Sequence, residues 1–310
     1  MAKTACRKAF TEELLRLARQ DCSLWTVATD SRGSVTSGAF FEELPRQAVE
    51  LGIAEQDAVS VAAGLALTGK NVFVCGPACF LSGRAFEQIK VDVAYNETNV
   101  KIVGVSAGVS YGPLGTTHTS LHDFACMRSL PGIEIFAPAD GVQTRYITDY
   151  LAVKRGPAYL RMGRGEVEDV YLSGETFDAG KAKRLQDGSD LTLIACGEMV
   201  YQAMRAADAL FKQGIRATVL DMFTLRPFDA AAVIEAARRT GAVITVEEHS
   251  VYGGLGEQVA HVLAEHCPTR MRILGFPDAQ YRIGSPGELF AAYGLDAAGI
   301  VRTAIELMKE

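Results

Sequence analysis

Short, nearly continuous apolar runs alternate with longer stretches of helical periodicity along the whole chain, and this alternation restricts the fold more than any other feature. The runs are Leu24–Thr29, Asn71–Cys75, Val100–Val105, Ile133–Phe136 and residues 157–161, then 191–195, 216–220, 243–247 and 271–275. Runs of this length, apolar on both faces, suit strands covered on both sides, as in parallel sheets. Between them, apolar residues recur at helical spacing: at 4–19 (Phe10, Leu14, Leu15, Leu17, Ala18), at 57–67, 80–95 and 140–152, then at 199–212, 229–239, 254–265 and toward the C-terminus. The segment after Ser34 reads as a helix or as irregular chain. The pattern predicts an α/β fold of two doubly wound, parallel-sheet domains. A length of 310 residues accommodates two domains of ordinary size. Residues 162–189 are charged, glycine-containing and weakly patterned and read as a linker, which divides the chain into 1–175 and 186–310.

Composition excludes several functions. The net charge of −6 gives no general attraction to nucleic acid or an anionic membrane, so an anionic substrate has to be held by local cations. No stretch approaches the about 20 apolar residues that span a bilayer. The N-terminal residues lack the apolar centre of a signal peptide, and a cytoplasmic chain is expected. Cysteines at 6, 22, 75, 79, 126, 196 and 267 show no Cys-x-x-Cys pair, and read as free thiols. His118 and His122 are four apart without an evident third ligand, so no metal site is expected from this chain.

In doubly wound sheets ligands bind beyond the carboxyl ends of the strands. Asp30–Ser34, Glu55, Gly76–Phe80 and the Gly- and Thr-rich loop Ser106–His118 all fall there in the first half. Glu55 sits in Gly52-Ile-Ala-Glu-Gln56, at the seam between a short run and an apolar helix. It is either a helix N-terminal residue favoured by the dipole or a buried acid with a raised pKa. Gly253-Gly-Leu-Gly256 opens a helix and either binds an anion through free N–H groups or permits a tight turn and close packing. Phosphate-loop and Gly-x-Gly-x-x-Gly signatures are missing from the positions that would need them.

Six motifs, in order, resemble one family. Gly52-Ile-Ala-Glu-Gln56, Phe80-Leu-Ser-Gly-Arg-Ala85 with Glu87-Gln88, Thr117-His118 and Phe136-Ala-Pro-Ala-Asp140 resemble the pyrimidine-binding domain of thiamine diphosphate enzymes of the transketolase group. Leu220-Asp-Met-Phe-Thr-Leu-Arg-Pro227 and Val246-Glu-Glu-His-Ser250 with Gly253-Gly-Leu-Gly256 resemble its C-terminal domain. The resemblance runs from about residue 4 to the end. The Gly-Asp-Gly…Asn segment that holds the diphosphate and its metal in this family is missing. The resemblance therefore implies the C-terminal half of a split transketolase. Its partner would be a diphosphate-binding N-terminal subunit that also holds Mg2+ or Ca2+. It further implies a site formed only between the two chains, a heterotetramer when paired and a homodimer alone.

The same resemblance assigns roles. Glu55 would hydrogen-bond N1′ of the cofactor's aminopyrimidine and hold a proton there, favouring the imino form that deprotonates thiazolium C2. Phe80 would stack on the aminopyrimidine, and Asp30 joins these two in the cofactor set. Arg7, Ser34 and Arg164 match the phosphate grip, where the planar fork of arginine suits a phosphate or sulfonate; Arg161 competes with Arg164 for that role. Against each charge stands the plainer reading of a solvated surface residue. His118 matches the histidine that contacts hydroxyls beside the reacting carbonyl; His122, one turn on, reads as a helix-face residue.

The match departs at two positions. Transketolases of ordinary sugar phosphates carry an acidic residue four before this histidine and another histidine twelve before it. Here these are Leu114 and Ser106. Leu114 accepts no hydrogen bond, which points to a substrate altered near its 2-hydroxyl, such as the branched ketopentose apulose 4-phosphate. Competing readings are 1-deoxyxylulose 5-phosphate synthase chemistry, a 2-oxo acid dehydrogenase beta subunit, a non-catalytic assembly subunit and a plain anion- or nucleotide-binding module.

Overall fold

Each apolar run of the sequence is a strand in the structure, a computed structural model that describes residues 3–310. In chain order the strands are β1 (Lys3–Ala5), β2 (Leu24–Ala28), β3 (Ala48–Glu50), β4 (Asn71–Pro77), β5 (Val100–Val105), β6 (Glu134–Phe136), β7 (Ala158–Arg161), β8 (Glu166–Glu168), β9 (Lys183–Gln186), β10 (Leu191–Ala195), β11 (Ala217–Asp221), β12 (Thr224–Arg226), β13 (Ala242–Ser250) and β14 (Arg270–Phe276). They form a seven-stranded sheet in the order β12-β6-β7-β5-β4-β2-β3 and a five-stranded sheet in the order β14-β13-β10-β11-β9. Pairing is parallel from β6 through to β3 and from β14 through to β11. Every residue of β4, β5, β10 and β11 is buried, as strands covered on both faces require.

Helices supply the cover. Cys6–Ala18 and Gly141–Val153 lie over the first sheet, with Phe10, Leu14, Ile147 and Leu151 in one apolar cluster. Met199–Phe211 and Ala297–Lys309 cover the second through Val200, Ala203, Leu210, Ile300, Ala304 and Leu307. Asp140 starts the Gly141–Val153 helix by accepting from the Gln143 N–H at 2.8 Å. Its other oxygen accepts from the N–H groups of Val170 and Tyr171 at 2.7 and 2.8 Å, which pins the chain leaving the first sheet.

Four expectations need correction. The segment 162–189 is not a structureless linker: β8 pairs antiparallel with β1, and β9 is the antiparallel edge of the second sheet. The sheets are therefore parallel with antiparallel edge strands. The predicted helix 80–95 is broken into Ala78–Arg84, Phe86–Gln88 and a wider π-helical turn at Ile89–Tyr95. His122 precedes the helix Asp123–Arg128 rather than lying on its face, and its Nε2 meets Ser82 Oγ at 3.3 Å.

The two halves share a core. Phe124, Met127 and Ile133 belong to the same apolar cluster as Leu225, Val233 and Leu255. β12, from the second half of the chain, closes the edge of the first sheet beside β6. The cysteines are free thiols, with Cys6, Cys75, Cys79 and Cys196 buried. Among the described residues no helix is long and apolar enough to cross a membrane.

Candidate active site

The carboxyl ends of β2, β4, β5 and β7 open to one side of the first sheet. The chain leaving them carries Asp30 and Ser34, then Phe80, then Tyr111, Leu114 and His118, and finally Arg164. Two non-glycine residues at these strand ends hold left-handed backbone, Asp30 at φ 54° and Ser106 at φ 57°. Such conformations carry strain, and they cluster where a binding surface is shaped.

Glu55 is the first residue of helix Glu55–Leu67 and is only 2% exposed. It thus starts the helix and is also buried. Its seam is less apolar than expected, because Arg84 Nη1 donates to Glu55 Oε2 at 2.6 Å. The Arg84 guanidinium also lies 4.7 Å from the centre of the Phe80 ring. One planar cation thus occupies both the Glu55 oxygen and the Phe80 ring. Its side chain is 46% exposed, so solvent can take over these contacts when it leaves.

A cavity of about 260 Å³ opens between these groups, lined among others by Asp30, Ser34, Glu55, Phe80, Leu114 and His118. His118 meets Phe80 edge-on at 5.3 Å between ring centres, and its Nδ1 lies 2.9 Å from Thr117 Oγ1. An acid, an aromatic ring and an imidazole thus share one small space.

Arg7, Ser34 and Arg164 come from three distant segments and meet beside this cavity. Arg7 donates through Nε to Arg164 O at 2.9 Å and through Nη1 to Ser34 O at 2.5 Å. Burial, and then the neighbouring Arg164 charge, lower the Arg7 pKa from its ordinary value. Both arginines line a second, larger cavity of about 660 Å³ between the halves of the chain, together with Lys8, Glu198 and Glu248. Tyr111 stands between the two spaces: its hydroxyl donates to Ser34 Oγ at 2.9 Å and accepts from Arg164 Nη1 at 2.5 Å. Its ring lies under the Arg164 guanidinium at 4.8 Å and edge-on to His118 at 5.8 Å.

Arg161 leaves the anion contest. It is buried, donates through Nε to Asp123 Oδ2 at 2.8 Å and through Nη2 to Glu248 O at 2.6 Å. Leu114 does reach the first cavity, 55% exposed, and Ser106 is fully buried. Sequence reasoning missed Tyr111 and the part played by Arg84. Tyr111 is the one aromatic side chain besides His118 in the loop 106–120, a signal that was present but unused. Arg84 stood inside a quoted motif without a role.

In the second half, successive residues of the Glu-Glu-His segment point to different places. Glu247 accepts from the N–H groups of Leu255 and Gly256, both at 2.7 Å, at the start of helix Leu255–His266. The anion capacity of Gly253-Gly-Leu-Gly256 is thus filled from within the chain. Burial pushes the Glu247 carboxyl up to about 7. Gly253, at φ 75°, also serves close packing, since a Cβ there would lie 2.3 Å from that of Ala125.

Known proteins resemble this chain in sequence and fold. Residues 2–169 match the transketolase pyrimidine-binding domain family, and residues 180–300 match the transketolase C-terminal domain family. The chain is 54% identical over 307 residues to one subunit of the apulose-4-phosphate transketolase of Phocaeicola vulgatus, covering 99% of this chain and 98% of that one. It is 37% identical over 301 residues to the 6-deoxy-6-sulfo-D-fructose transketolase subunit SqwH of a Clostridium species, covering 97% and 94%. A solved structure described as a split-gene transketolase, an inactive beta4 tetramer, superposes with a TM-score of 0.90 at 37% identity, covering 99% of both chains. Transketolases depend on thiamine diphosphate, and the subunit matches imply a separate N-terminal partner chain. The chain belongs to the transketolase family, as a subunit carrying the pyrimidine-binding and C-terminal domains.

Proposed function

We propose that this subunit, with a diphosphate-binding partner, transfers a two-carbon ketol unit from apulose 4-phosphate to an aldose phosphate. The observation that carries the choice of sugar is Leu114. It stands in the cavity wall beside His118, where a polar acceptor would meet the hydroxyl of an ordinary ketose phosphate. The 54% identity to a chain named for apulose 4-phosphate supports the same reading.

The pocket fits the aminopyrimidine of thiamine diphosphate. Arg84 supports this reading, being a planar cation that bonds Glu55 and lies over Phe80. In this reading Glu55 holds a proton at N1′, Phe80 stacks on the ring and Asp30 borders it. Thiamine diphosphate, when bound, would supply the carbanion chemistry needed to cleave the carbon–carbon bond beside the ketose carbonyl. His118 donates to or accepts from the hydroxyl next to that carbonyl. Arg7, Arg164 and Ser34 grip the terminal anion by charge-assisted hydrogen bonds, with Tyr111 between them and His118. The partner holds the diphosphate through Mg2+ or Ca2+.

The assembly in this reading is a cytoplasmic heterotetramer with two copies of each chain. Alone, the chain is a homodimer able to pair further into a form like the beta4 tetramer of the solved relative. Its working units are 1–175 and 186–310, with β9 just ahead of the second unit and paired into its sheet.

The test is a paired-subunit assay comparing apulose 4-phosphate, xylulose 5-phosphate and 6-deoxy-6-sulfofructose as donors. The expected result is the highest kcat/KM on apulose 4-phosphate. Equal or better turnover of xylulose 5-phosphate would overturn the sugar assignment, and preference for the sulfosugar would move the substrate class to sulfonates. Leu114→Asp restores an acceptor at this wall and should shift the preference toward xylulose 5-phosphate by about tenfold.

A further inference from the structure

The loop that carries Tyr111, Leu114 and His118 is long and rich in glycine and threonine. Such a loop would be mobile unless its backbone groups found fixed partners. It is pinched at its base, where Gly108 and Ser120 exchange N–H···O bonds of 3.1 and 2.8 Å. Beyond that pinch, the C-terminal half of the chain holds it. Glu248 Oε1 accepts from the Val109 N–H at 2.7 Å, and Ser250 N–H donates to Leu121 O at 3.0 Å. Further along, a Cβ on Gly112 would lie 2.2 Å from Gly284 O, so the backbones of loop and C-terminal half touch there.

Glu248 is the most demanding of these contacts. It is 5% exposed, and burial followed by the nearby Glu198 push its carboxyl up to about 8. Its approach requires glycine at 108: that residue has φ 60°, and a Cβ there would lie 2.1 Å from the Glu248 carboxyl carbon. The backbone of Glu248 is fixed in turn by Arg161, which donates to its carbonyl at 2.6 Å and to Asp123, the residue that follows the loop. An apolar side chain could fill this volume, but it would leave the Val109 N–H buried without a partner.

We propose that Glu248 is a positioning residue for the transfer reaction: it fixes the Val109 amide and thereby the loop that presents Tyr111, Leu114 and His118 to the substrate. This rests on the roles proposed above for the loop. It gives the C-terminal domain a direct part in the reaction, acting through the loop without touching the cofactor pocket. Glu248→Ala removes the acceptor. Glu248→Gln keeps an oxygen for the Val109 N–H and resembles a carboxyl group that holds its proton.

The experiment uses the assembled two-subunit enzyme, with whichever ketose phosphate it turns over. For Glu248→Ala, KM for that ketose should rise about tenfold, while thiamine diphosphate affinity stays within about twofold because Glu55 and Phe80 lie outside the loop. Glu248→Gln should restore KM. Hydrogen exchange of the 106–118 segment should be slow in the wild type and in Glu248→Gln, and faster in Glu248→Ala. An unchanged KM in Glu248→Ala, a Gln variant as impaired as the Ala variant, or rapid exchange at Val109 in the wild type would each overturn the proposal. Exchange is read without any substrate. A wrong sugar assignment is therefore distinguishable from a wrong role for Glu248, and the wild-type and Gln measurements decide the matter even if the Ala variant does not fold.

Discussion

Glu55 and Glu247 are both buried carboxyl groups at the start of a helix, one in each half of the chain. The helix dipole favours an acid at either place. Their surroundings differ in what is aimed at the oxygens. Both Glu247 oxygens are taken by the first main-chain N–H groups of the helix that follows its strand, at 2.7 Å each. Glu55 is met instead by the half-exposed side chain of Arg84, and a cavity opens beside it. A carboxyl group filled by fixed backbone donors belongs to the architecture. One held by a replaceable side chain at the edge of a cavity is free to take a ligand.

The comparison breaks most sharply at Glu55→Gln. Activity of the assembled enzyme should fall on the order of 100-fold or more, with the unfolding midpoint nearly unchanged. Turnover near wild type would remove Glu55 from the chemistry. Glu247→Ala should do the opposite: stability measured by urea unfolding should drop by about 2–3 kcal/mol, because two buried N–H groups lose their acceptor, while activity per folded molecule stays within a few-fold.

The pH arm is smaller. Burial raises the Glu247 carboxyl from 4.5 to about 7, so the folded chain retains a proton that the unfolded chain has lost. The stability this group contributes is full below pH 4.5 and is lost as pH rises through 7. The advantage of wild type over Glu247→Gln, followed by unfolding midpoints, should therefore be larger at pH 5 than at pH 8. Arg84→Met has the mildest expected effect. It frees Glu55 and the Phe80 ring, and thiamine diphosphate should bind the assembled enzyme a few-fold more tightly by titration. Weaker binding would mean that Arg84 contacts the cofactor.

The strands β2, β4 to β7, β10, β11, β13 and β14 were legible because each is an apolar run with a helix between it and the next in its half of the chain. The short antiparallel strands were not. β8 and β9 lie in charged, weakly patterned sequence, and β12 is three residues long; their pairing depends on partners that no local pattern names. The candidate site was legible through motifs at strand ends, and the structure brings Glu55, Phe80, Asp30, Ser34 and His118 to one cavity with Arg7 and Arg164 beside it. In the sequence Arg161 competes with Arg164, and only tertiary contacts show that Arg161 is spent on Asp123. Tyr111 and Arg84 gain meaning from residues 77 and 29 positions away in the chain. The Glu-Glu-His segment was recognised as a motif, yet its division of labour follows from the alternation of side chains along β13, which no spacing rule reveals.

β12 leaves the second half of the chain to lie against β6, and its last residue, Arg226, donates to the carbonyl oxygens of Arg128 and Leu130. This makes the boundary between the halves a poor place to cut. A fragment ending near residue 175 would expose the bare hydrogen-bonding edge of β6, an invitation to pair with another chain. Anyone shuffling such domains between enzymes of different sugar preference would do better to exchange residues 106–122 together with the part of β13 that holds them. The transferable module of this protein is a loop and its clamp, drawn from opposite halves of the sequence.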